Sequence, residues 1–265
     1  MVSKHMIDVT HTEANAKAIK YIAKRYTPLS YKKDIIQLLH QIYPNWNFNE
    51  YEKMRLHELI SNFLMENHFG EQALKFELFN IFKKKDLVAA FEIRVGNSRA
   101  DFLTINGSTS SFEIKSSLDN LNKLKKQASD YILAFEFNHL VIDEKHTQKA
   151  IGLVPESFGL WSFKNGRKTI HRHASTNKNI DPEIQLTLLN KKDLKRFFYE
   201  VDGNVTQVLK QYSSMVINER FKAALKMKYS LRWNFLLNNV DLILPVDLQF
   251  FFKTNVNPNL IYQGI

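Results

Sequence analysis

The chain has 265 residues, 44% of them hydrophobic, with a formal net charge of +10 and no cysteine. That length and apolar content allow one large domain or two modest ones with a real core, and the absence of thiols excludes disulfides and thiolate metal sites. The positive excess calls for an anionic partner. With no apolar run of eighteen residues and no signal-peptide core, the chain reads as soluble and cytoplasmic, with no membrane partner.

The first part reads as helical. Thr12 to Arg25, Tyr31 to Ile42 and Glu50 to Glu66 repeat apolar residues every three or four positions, and Pro28 and Pro44 punctuate them. Met54, Leu56, Leu59, Ile60, Phe63 and Leu64 form one stripe, a core face rather than a functional one. Residues 1–68 are therefore expected to be a helical extension.

A core is expected over 69–165. It opens with a helix from Gly70 to Lys84 that turns Ala73, Leu74, Leu78, Ile81 and Phe82 inward. Leu87 to Val95 follows as a strand, Gly96-Asn97-Ser98 as a turn, and Asn106-Gly107 as a second turn between two strands. Ser116 or Ser117 can cap a helix that runs to Phe137 and buries Leu121, Leu124, Ala128, Ile132 and Phe135. Leu140 to Ile142 and Trp161 to Phe163 read as buried strands.

Residues 166–265 are expected to be a mainly helical subdomain. Asn190 to Tyr199 and Val205 to Lys228 read as helices, the second with Val208, Leu209, Tyr212, Met215, Val216 and Phe221 inside. Leu248 to Phe252 adds aromatic mass, and Pro245 and Pro258 break the pattern. The fold class that results is α/β: a helix, three strands, a helix and a strand in a mixed sheet, between helical extensions.

The chemistry concentrates in Arg99 to Gly107 and Ser111 to Lys115. Strand side chains alternate faces, so Glu113 and Lys115 share one face while Phe112 and Ile114 point to a core. If the hairpin brings Asp101 alongside, two carboxylates and an ammonium converge. Mg²⁺ or Mn²⁺ takes oxygen ligands of this kind, and a neighbouring lysine can position a water. Glu113-Ile114-Lys115 is the sole Glu-x-Lys in the sequence. Lysine clusters at 83–85, 123–126 and 191–195 each read alone as solvated faces; their collective excess beside such a site favours nucleic acid.

Several motifs carry a likeness together: Arg99-Ala100-Asp101, Ile105-Asn106-Gly107, Phe112 through Ser116, Leu121 through Leu124, Gln127 with Tyr131, Val154-Pro155 and Gly159-Leu160. From Gly70 to Phe163 the chain resembles the PD-(D/E)XK nuclease superfamily, and within it a group of small bacterial proteins with this pattern. Ala100 departs from the proline in the superfamily's name, at a structural rather than chemical position. The resemblance implies a restriction-endonuclease-like core and metal-dependent hydrolysis of phosphodiesters, in DNA ahead of RNA, in a setting such as phage defence, restriction or repair. It implies Asp101, Glu113 and the Ile114 carbonyl as metal ligands, with Lys115 on the attacking water or the scissile phosphate. It adds a glutamate from the first core helix, Glu71 with Glu77 as the alternative. Gln127 would serve the site, and Tyr131, Lys123 and Arg99 would meet nucleic acid.

Two further patterns resemble sites. Glu92-Ile93-Arg94 repeats the acid-x-base form on a strand but lacks an acid one hairpin before it, so it reads as support or phosphate contact. His171-Arg172-His173 has no other ligands nearby and reads as a basic loop. Lys145 and His146 follow a strand near the expected site edge and read equally as phosphate contacts or solvated loop. The rival reading is a binding or assembly module on a nuclease scaffold, latent without a partner. The helical extensions leave room for a homodimer or a protein partner.

Overall fold

The computed structural model describes residues 16–67, 70–117, 119–164 and 166–263. Helices α1 (Ala16–Arg25), α2 (Lys32–Leu39) and α3 (Lys53–Asn67) come first; the expected start of the first helix, at Thr12, lies outside the described residues. Then follow α4 (Glu71–Phe82), β1 (Val88–Val95), β2 (Ser98–Asn106), β3 (Ser108–Lys115), α5 (Leu124–Tyr131) and β4 (Phe137–Asp143). Beyond them come α6 (Thr147–Ile151), β5 (Gly159–Lys164), β6 (Arg167–Arg172), α7 (Pro182–Thr187), α8 (Lys191–Phe197), α9 (Val205–Gln211), α10 (Ser214–Asn238), α11 (Leu248–Thr254) and α12 (Pro258–Gln263).

The fold is α/β, and α4-β1-β2-β3-α5-β4 is the expected order of helix, three strands, helix and strand. The chain forms two compact units, residues 1–68 with 257–265, and residues 69–256. The expected separate subdomain over 166–265 is thereby redrawn. Residues 166–256 belong with the sheet, because β6 hydrogen-bonds to β5 and α10 packs on β1.

In the first unit Ile22, Ile35, Leu39, Leu56 and Ile60 are fully buried. His57 lies among them, its Nδ1 bonded to the Tyr26 hydroxyl at 2.8 Å and its ring edge-on to Tyr262 of α12. Burial, with Lys53 adding to it, holds the His57 imidazole down at about 4. The Lys53 ammonium donates to the Ile261 carbonyl at 2.9 Å, a second tie between α3 and α12.

The second unit is built on a six-stranded sheet in the order β1-β2-β3-β4-β5-β6. β1, β2 and β3 form an antiparallel meander joined by turns at Gly96 and Gly107, whose φ values of 55° and 69° suit glycine. β3–β4 and β4–β5 pair in parallel, and β6 closes the edge antiparallel to β5. Phe79 and Phe82 of α4 pack with Phe102, Phe112 and Trp233 in edge-on, tilted and stacked ring contacts, an aromatic core that seats α4 and α10 on the meander.

Three sequence expectations are corrected. The helix expected from Ser116 to Phe137 is only Leu124–Tyr131. The Asp119 carboxylate accepts from both the amide (2.7 Å) and the hydroxyl (2.5 Å) of Ser116, closing a loop where the cap was expected. At its other end Asn177 donates to the carbonyls of Ile132 and Phe135, stopping the helix short of β4. The helix expected over Val205 to Lys228 is split: Ser213 caps α10 by accepting from the Val216 amide. The rephasing leaves Leu209 and Met215 exposed, whereas Val208 and Phe221 are buried. The basic loop at His171 is instead part of strand β6, and His171 bonds the Ser162 hydroxyl at 2.7 Å.

Candidate active site

The meander's register assembles the site. Phe102 pairs with Phe112, so Asp101 on β2 lies opposite Glu113 on β3. Phe91 pairs with Phe102 and Ile93 with Ala100, so Glu92 on β1 lies opposite Asp101. Three acids thus stand in a row across three strands, and strand alternation sends Phe112 and Ile114 into the core. At Asp101 the β2–β3 ladder ends, and its Oδ2 accepts from the Ile114 amide at 2.7 Å in place of a backbone partner.

Glu113 is buried and fully engaged. Its Oε1 accepts from the Lys115 ammonium at 2.5 Å and its Oε2 from the Tyr131 hydroxyl at 2.6 Å, and the Gln127 side chain bonds it as well. Burial raises the Glu113 carboxyl, against the opposing pull of Lys115. Asp101 is raised well above its ordinary value by burial and then by the Glu113 charge. The Tyr131 hydroxyl is pushed up by burial and by Glu113 beside it, so it stays a donor.

A cleft of about 550 Å³ opens over these groups. Asp101, Glu113, Ile114, Lys115, Gln127 and Glu71 all line it, together with Arg99 and Lys123. Of the two glutamates on α4, Glu71 therefore belongs to the site, whereas Glu77 lies off the cleft, near Gly166. Tyr131, expected to meet nucleic acid, is instead fully buried, and its hydroxyl donates to Glu113. Lys145 and His146 do not line the cleft; the His146 ring bonds the Ser116 carbonyl at 3.1 Å.

The sequence reading missed two residues and undervalued a third. Lys75, one turn after Glu71 on α4, is buried and pairs with both Glu71 and Glu92. Burial opposes its charge, but Asp101, Glu71 and Glu92 outweigh that and hold its pKa up. Lys126 lines the cleft beside Lys123 and pairs with Asp130. Glu92, read as support, has a φ of 61°, a left-handed conformation inside a strand that costs about 1–3 kcal/mol. A signal for Glu92 was present: the turn at Gly96-Asn97 fixes a register that puts residue 92 opposite 101. Lys75 had none, because a lysine one turn from a glutamate is the common surface pair.

The donors fit a hard divalent cation. All are oxygens, and one oxygen from each of Glu71, Glu92 and Asp101 lies within 4.8 Å of the others. Among the described residues no histidine joins such a group of three or more. Among the described residues no helix is long and apolar enough to cross a membrane.

The family model described as Bacteriophage P4 protein cII matches residues 65–251. The chain belongs to that family. No curated protein matches it. A solved structure of a protein of unknown function from Silicibacter pomeroyi is 18% identical over 52% of this chain and 89% of its own, with a TM-score of 0.35. That likeness is too slight to carry an argument.

Proposed function

We propose that this member of the phage P4 cII family is a metal-dependent nuclease that hydrolyses phosphodiester bonds with Mg²⁺ or Mn²⁺, in DNA ahead of RNA. One observation carries the reading: Asp101, Glu113 and Lys115 meet on one wall of a single cleft. Asp101, Glu113 and the Ile114 carbonyl would hold the ion, beside Glu71, which is paired with Lys75. The ion would polarise the phosphate and lower the pKa of a bound water. Lys115, held by Glu113, would position that water for attack on phosphorus as the bond to the leaving oxygen breaks. Gln127 and Tyr131 keep Glu113 in place. Arg99, Lys123 and Lys126, all exposed at the cleft, would neutralise backbone phosphates, so binding should weaken with salt. Phage defence, restriction or repair would suit such an enzyme.

The test incubates the protein with supercoiled plasmid and short linear DNA or RNA under Mg²⁺, Mn²⁺ or EDTA, beside Lys115→Ala. Metal-dependent cutting lost in the variant supports the reading; cutting that survives in both Lys115→Ala and Asp101→Ala defeats it. One observation favours a second, latent reading: both Glu113 oxygens are already engaged, by Lys115 and Tyr131. Activity that appears only with a partner or at a concentration threshold would select it.

A further inference from the structure

Lys75 holds a place in the site that the nuclease reading leaves unexplained. Its side chain is 4% exposed, and its ammonium bonds Glu71, Glu92 and Gln249, the last at 2.9 Å. A lysine ammonium has three donors, and three acceptors surround this one. It is therefore coordinated as an ion would be, by residues from α4, β1 and α11. Lys115, by contrast, bonds only Glu113 among the described residues and lines the open cleft.

The acids that Lys75 engages are two members of the carboxylate triad, Glu71, Glu92 and Asp101, best spaced for an ion. The Arg99 guanidinium occupies the other oxygen of Glu92 at 2.9 Å. Among the groups that pair at the cleft, Glu71, Glu92, Asp101 and Glu113 face Lys75, Lys115 and Arg99, which leaves one negative charge. One divalent ion already over-balances it by one. A second would leave a larger buried positive excess, which is costly in a poorly solvated site. The strained conformation of Glu92 occurs where its carboxylate meets both Lys75 and Arg99.

We propose that the Lys75 ammonium takes the place of a second metal ion, so that each chain binds one divalent cation. The inference rests on the metal-dependent reading above. It assigns Lys75 as a positioning residue that neutralises Glu71 and Glu92, and it restricts the ion to the Asp101–Glu113 part of the cleft.

The test counts Mn²⁺ bound to the full chain, by the electron paramagnetic resonance signal of free Mn²⁺ and by calorimetry. One ion per wild-type chain is expected, two for Lys75→Gln, and one for both Lys75→Arg and Glu92→Gln. The Mn²⁺-induced rise in Tm should be larger in Lys75→Gln than in wild type. Two ions in the wild type would overturn the proposal while leaving the nuclease reading standing, and so would a folded Lys75→Gln that binds one. Loss of the ion in Glu92→Gln would place it on the triad and overturn the proposal without the variant at Lys75. No ion in the wild type would overturn the metal-dependent reading itself.

Discussion

Two buried lysines in the sheet unit sit among carboxylates, and they do opposite things. Lys222 on α10 donates to the Gly107 carbonyl at 2.7 Å and pairs with Glu136 at 3.2 Å and Glu219 at 2.7 Å. Glu136 is itself satisfied by the Thr109 amide and hydroxyl and by Asn218. That cluster pins α10 to the β2–β3 turn and lies outside the cleft over Asp101 and Glu113. At the other end of the meander, Lys75 and Lys115 face four carboxylates, two of them raised by burial. A buried lysine is thus no mark of a site. An acid surplus left uncancelled beside an open cleft is, because it needs a cation from outside.

Breaking the surplus should have the largest effect. Asp101→Ala and Lys115→Ala are each expected to lower cleavage by about 10³-fold, as loss of a positioned charged group does, with the fold retained by circular dichroism. Lys222→Met should do the reverse. It should keep the cleavage rate at permissive temperature and lose about 2 kcal/mol of stability, because the half-buried Glu136 loses its counter-ion; urea melts read this. Equal loss of rate in both kinds of variant would erase the distinction between the clusters.

Acidity sharpens the contrast. Raised carboxyls hold protons where ordinary ones are ionised, and a binding cation must expel them. Below the raised pKa of the Asp101–Glu113 pair, Mn²⁺ affinity should fall about tenfold per pH unit for each proton expelled. Above it, the affinity should be flat. Titrations across pH would show this slope in wild type and unchanged in Lys222→Met. The smallest effect expected is that of Tyr131→Phe, about tenfold in Mn²⁺ affinity with DNA affinity in EDTA unchanged, since Tyr131 holds Glu113 and is buried. A loss of DNA affinity instead would return Tyr131 to substrate contact.

Much of the site was legible because its signals are local. The turns at Gly96 and Gly107 set the register of the meander, and alternation sorted Glu113 and Lys115 from Phe112 and Ile114. Capping was less legible. Ser116 and Ser213 carry the same signal, yet Ser116 closes a loop with Asp119 while Ser213 starts a 25-residue helix. Apolar periodicity ran through the break at Ser213 and put Met215 inside, where it is 73% exposed.

By itself the sequence determined the order of elements from α4 to β4 and the convergence of Asp101, Glu113 and Lys115, since each depends on neighbours a turn or a hairpin away. Only the tertiary structure decided what those residues face. It brought Lys75 and Gln249 together across 174 positions, buried Tyr131 against Glu113, and joined residues 257–265 to the N-terminal helices. Those outcomes depend on which elements pack together, and burial then sets the charge balance that a local pattern cannot contain.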